Sequence, residues 1–176
     1  MVIQKMGLQQ NIVDIEGSVV RGHNLTTNID WQIAYGMYDF PFIGTISRNY
    51  FVRVKCNSAK RYAWNEDCNG VYLYVYDIPD SIPAEFKEAN RVFMGGAEKR
   101  SALIKDMISP ERINITGDEK LLVMYENSKL TIVELRQLVE KLKISLPNPL
   151  SQIVFHPKQS DNLIAISDAG EVHNIT

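Results

Sequence analysis

Cysteine, histidine and runs of positive charge are scarce in this chain, and each shortage removes a class of function. Two cysteines and three histidines among 176 residues are too few, and too far apart, for a zinc centre of the usual Cys/His kind. They also exclude a small disulfide-framework scaffold. Cys56 and Cys68 flank the stretch NSAKRYAWNED; they either close one small loop or stand as two separate thiols. The formal net charge is -2, and no Lys/Arg cluster alternates with aromatics. No nucleic-acid surface is therefore expected. No apolar run approaches the length that spans a membrane as a helix. The start, MVIQKMGLQQNIVDIEGS, is not a basic segment followed by a long apolar one, so no classical signal peptide is expected.

What is present is an ordinary globular composition, 45% hydrophobic and 23% charged. It is enough for a core without staples. No repeat, linker or low-complexity tract appears, and one domain over residues 1–176 is expected. SVVRGHN reads as a short strand. TTNIDWQIAYGM predicts a helix capped by Thr27 or Asn28, with Ile29, Ile33 and Met37 at helical spacing. YFVRVKC and GVYLYVYDI predict strands, the second from its alternation of Val and Tyr. AEFKEAN predicts one or two helical turns. ERINITGDEKLLVMYEN predicts a hairpin bending at Gly117-Asp118.

The strongest helical pattern covers 131–143. Thr131 and Glu134 form a capping box, Leu130 staples to Leu135, and Leu135, Leu138, Val139 and Leu142 line one face before Pro147. The tail predicts two strands and a polar loop. Its FHP…LIAISDAG resembles one blade of a β-propeller, but a single blade cannot stand alone, so an ordinary hairpin is expected. His156 and His173 lie there and are read as surface or core residues.

The stretch PFIGTISRNYF, Pro41 to Phe51, ends an apolar run in small hydroxyl residues. That pattern marks either a turn or the floor of a substrate pocket. The order VVRGHN, FIGTISRNYF, GVYLYVYDIP, then GGAEKRSAL and ISPERI, is similar to the mono-ADP-ribosyltransferases, in particular the cholera and pertussis toxin catalytic subunits. The resemblance covers roughly residues 18 to 116.

It implies an α+β fold, a split β-sandwich with flanking helices around a cleft. It also implies transfer of ADP-ribose from NAD to a protein acceptor by a toxin or secreted effector, delivered without a classical signal peptide or else cytoplasmic. On this reading Arg21 binds the NAD pyrophosphate through its planar fork. Thr45 and Ser47 shape the nicotinamide pocket, and Tyr50 or Phe51 stacks on the ring. Glu98, after Gly95-Gly96, stabilises the ribosyl cation as nicotinamide leaves, with Ser47 beside it as a catalytic hydroxyl. Asp106 is a second acid candidate, and His23 is read as a turn residue.

The sequence departs from the family at three points. Gly44-Thr45-Ile46-Ser47 matches the Ser-Thr-Ser triplet only in part; Lys99 and Arg100 follow Glu98 where a second glutamate is usual, and a gapless alignment puts Ser101 at the acid position; and the segment between Arg21 and the second strand is shorter than in the toxins. Two other readings stand beside the enzyme: the same fold without catalysis, and an unrelated small α+β interaction or immunity protein that binds a partner protein.

Overall fold

A computed structural model describes residues 11–16, 19–25, 28–34, 43–57, 68–77, 91–93, 99–156 and 159–176. All regular structure among them is β-strand. The expected α+β architecture with flanking helices is thereby overturned. No helix among the described residues is long and apolar enough to cross a membrane.

Among the described residues, fifteen strands form four sheets. Sheet I holds β1 (Asn11–Glu16), β2 (Val19–Asn24) and β3 (Ile29–Ala34) in antiparallel order. The short β7 (Arg91–Phe93) adds to β3 in parallel. Sheet II is β4 (Ile43–Ile46), β5 (Tyr50–Cys56), β6 (Val71–Asp77) and β8 (Lys99–Ile104), all antiparallel. Sheet III is a meander of β9 (Arg112–Ile115), β10 (Leu121–Glu126), β11 (Lys129–Glu134) and β12 (Val139–Ser145). Sheet IV is β13 (Leu150–His156), β14 (Gln159–Ser167) and β15 (Val172–Ile175).

Sheets II, III and IV stack face to face. In β6 the period of two sends Val71, Leu73 and Val75, each 0% exposed, toward sheet III. There they meet Ile113, Leu122, Met124, Val133 and Leu135. The opposite face of sheet III offers Val123, Tyr125, Leu130 and Ile132 to Leu150, Leu163 and Ala165 of sheet IV. A sheet covered on both faces needs strands that are apolar throughout rather than alternating. LLVMYE and KLTIVE supply this, with four consecutive buried residues in each of β10 and β11. Each buried leucine contributes about 1.5–3 kcal/mol to this stack.

Several expected elements change. The helix over 131–143 is β11, a tight turn at 135–138, and β12. The spacing that suggested a helical face is real, but Thr131, Ile132 and Val133 are β-branched, a bias toward strand. Glu134 does cap, though it caps a turn: its carboxylate accepts the Gln137 N–H at 2.6 Å and the Arg136 N–H at 3.2 Å. Leu138 closes that turn with φ of 57°. The helix expected within 27–37 is β3 over its described part. The tail carries three strands, one more than the expected hairpin. The strands SVVRGHN, YFVRVKC and GVYLYVYDI form as expected, and the hairpin bending at Gly117-Asp118 joins β9 to β10. AEFKEAN falls outside the described residues. Cys68 is disulfide-bonded, which in a chain of two cysteines closes the 56–68 loop.

Candidate functional site

Of the five residues expected to hold NAD, Thr45, Ser47 and Tyr50 lie together on β4, β5 and the turn between them, while Arg21 stands on a different sheet. Thr45 lies on β4, 5% exposed, paired with Val52 inside sheet II. Ser47 is 4% exposed and organises the turn from β4 to β5. Its N–H donates to the Tyr50 carbonyl at 2.8 Å, and its Oγ accepts the Tyr50 N–H at 3.2 Å. The small hydroxyls of PFIGTISRNYF are therefore turn chemistry and buried packing. Arg21 sits exposed on β2 of sheet I, opposite Asp14 and Gln32. Glu98 lies outside the described residues. His23 is a strand residue rather than a turn residue, and its Nδ1 lies 2.7 Å from Asp30 on the neighbouring strand.

Tyr50 is half-buried beneath a different group. The Arg100 guanidinium lies 5.5 Å from the centre of its ring. It also donates to Asp77 at 3.2 Å and to the Leu135 carbonyl at 2.9 Å, and to the Arg136 carbonyl. Arg100 thus fastens sheet II to the 135–138 turn of sheet III. Asn49 makes a second fastening, its N–H donating to the Glu119 carboxylate at 2.8 Å.

A concavity of about 380 Å³ opens between the same two sheets, a volume within the range of ligand pockets. Lys105 and Asp106, in the turn after β8, form one wall. Lys129 and Thr131 of β11, with Lys143 and Ser145 of β12, form the other. The register places them: Thr131 stands opposite Lys143, and Lys129 opposite Ser145. Ile108 and Ile144 give the lining an apolar part.

The Lys143 Nζ lies 2.6 Å from Asp106 and 2.9 Å from Glu140. The hydrogen bond and charge of Lys143 hold the Asp106 carboxyl below its ordinary value, and Lys129 and Lys105 push the same way. Asp106, expected as a spare catalytic acid, is instead an ion-paired carboxylate in a cluster of lysines. Nothing in the spacing of Lys105, Lys129 and Lys143 announces that they meet. The signal lies in strand register, which becomes readable only once 129–145 is taken as a hairpin.

Antiparallel strands make sheets II, III and IV, and these pack face on face in chain order. The stacking is that of β-propeller blades. Comparison with solved structures agrees. The chain is similar to Hsv2 of Kluyveromyces lactis, a β-propeller, with a TM-score of 0.60 and 10% identity; the match covers 98% of this chain and 47% of that one. The chain thus spans about half the length of that relative. It is also similar to a functionally unknown protein of Desulfotomaculum acetoxidans at 11% identity and a TM-score of 0.49, over 94% of this chain and 50% of that one. No family model and no curated protein matches the sequence. The blade-like FHP…LIAISDAG therefore has company: the other blades come from this chain itself, in sequences that carry no blade signature.

Proposed function

We propose that the chain is a binding scaffold, a stack of sheets that offers surfaces to a macromolecular partner, rather than an enzyme acting on NAD. One observation carries this reading. Ser47, the hydroxyl assigned to the nicotinamide pocket, is 4% exposed and engaged with Tyr50 in its own turn. The α+β cleft on which the transferase assignment depended gives way to stacked β-sheets. Propeller-type folds present broad surfaces and host many unrelated functions, so the fold sets no chemistry by itself.

Nicotinamide release and thermal unfolding with saturating NAD test the reading together. A ligand that binds the native state raises its stability by mass action. The expected result is no shift in Tm, no nicotinamide release, and no difference between wild type and Glu98→Gln. NAD-dependent stabilisation with turnover that Glu98→Gln abolishes would restore the transferase.

A further inference from the structure

We infer that the lysine-lined cavity between sheets II and III receives an acidic peptide segment of a partner protein, an inference that rests on the binding-scaffold reading. The protein itself shows the chemistry that the cavity accepts. Asp106 places a carboxylate there, 2.6 Å from Lys143. Lys143 is then occupied, since it also meets Glu140 at 2.9 Å. Lys105 and Lys129 line the same cavity and make no ion pair among the described residues. Two positive charges remain for an incoming ligand.

Lysines on an edge strand also serve to keep foreign strands away. That role suits Lys143 on β12, the outer strand of sheet III. It does not account for Lys105, which lies in a turn of sheet II, or for Lys129 on the inner strand β11.

The lining also selects among anions. No arginine among the described residues borders the cavity, so they offer no bidentate fork of the kind that favours phosphate. Ile108, 42% exposed, and Ile144 supply an apolar wall. Glutamate or aspartate side chains interspersed with aliphatic ones satisfy both features.

The test uses the full chain and a fluorescein-labelled heptapeptide of alternating Glu and Ile, followed by fluorescence anisotropy. A Gln/Ile peptide is the uncharged control. The Glu peptide should bind, the Gln peptide should not, and raising salt from about 50 to about 300 mM should weaken binding severalfold by screening. Lys105→Gln combined with Lys129→Gln should lower affinity about tenfold, the scale of two lost charge contacts. Lys129→Arg should preserve binding, and Lys120→Gln, a lysine outside the cavity, should change nothing. Asp106→Asn should strengthen binding severalfold, because it removes the resident competitor while leaving the lysines in place.

Equal binding of the two peptides, no binding of the Glu peptide, or a double variant that binds like wild type would overturn the inference. So would inorganic phosphate displacing the peptide far better than acetate at equal ionic strength. Failure here with NAD inert removes the cavity assignment alone, whereas NAD turnover removes the scaffold reading itself.

Discussion

Arg100 leaves one sheet and ends on another, and its contacts set the size of a first prediction. It carries a charge, is only partly exposed, and donates to two carbonyls of the 135–138 turn. Hydrogen bonds from a charged donor contribute about 1.5–3 kcal/mol. Arg100→Ala should therefore cost about 2 kcal/mol in urea unfolding, and Arg100→Lys, which lacks the planar fork, should recover only part of it.

Two glycines give a matched pair at the same scale. Gly70 (φ +87°) and Gly170 (φ +81°) both need the left-handed region, but a Cβ on Gly70 would meet the Ile104 carbonyl oxygen at 2.6 Å, while one on Gly170 meets nothing within 4 Å. Gly170→Ala should cost about 1 kcal/mol, the backbone penalty alone. Gly70→Ala should cost more, because backbone on the neighbouring strand must also move. Neither difference is legible in the sequence, where both positions are simply glycines near strand ends.

At the scale of elements, β6, which alternates, was legible, and β11, which does not, was misread. VYLYVYD announces β6 because one face meets sheet III and the other carries tyrosines. KLTIVELRQLVEKLKIS hides two strands. β11 is buried on both faces and so has no period of two, and the leucines of its turn and of β12 happen to fall at helical spacing. In sheet IV the alternation is clean and testable. Leu163 is 2% exposed and its neighbour Ile164 is 39% exposed. Leu163→Ala should lower stability by about 2–5 kcal/mol, whereas Ile164→Lys should stay within about 0.5 kcal/mol.

The link between β8 and β12 carries a pH signature. Lys143 holds the Asp106 carboxyl below its ordinary value. A depressed folded-state value means that the contact adds stability above the ordinary carboxylate pKa and loses it as pH falls through the folded-state value. Asp106 should titrate below 3.8, its unperturbed value, when followed by carboxyl NMR. Lys143→Met should move that titration upward.

For the whole molecule, only the last stretch of the sequence resembles a blade, and it reads there as an ordinary hairpin because one blade cannot stand alone. The hydroxyls and the arginine whose order suggested an NAD site are also what a turn and an exposed strand position require. The fold is a property of stacking, and stacking depends on which faces are apolar once register is fixed. The disulfide of Cys68 is the one covalent constraint on that stack. Closing a loop of this length contributes about 3 kcal/mol, so the unfolding free energy measured in reductant should be lower by that amount, and Cys68→Ser should reproduce it.

The parallel pairing of β7 with β3 has a consequence for synthesis. Asp30 pairs with Arg91, while β4, β5 and β6, made in between, belong to the next sheet. During translation the first sheet must wait, one strand short, until most of the second has left the ribosome. Sheet III, by contrast, closes from one contiguous stretch of chain. Sheet I thus keeps an open edge while three strands of its neighbour are made, and that edge is the natural place for a chaperone to act.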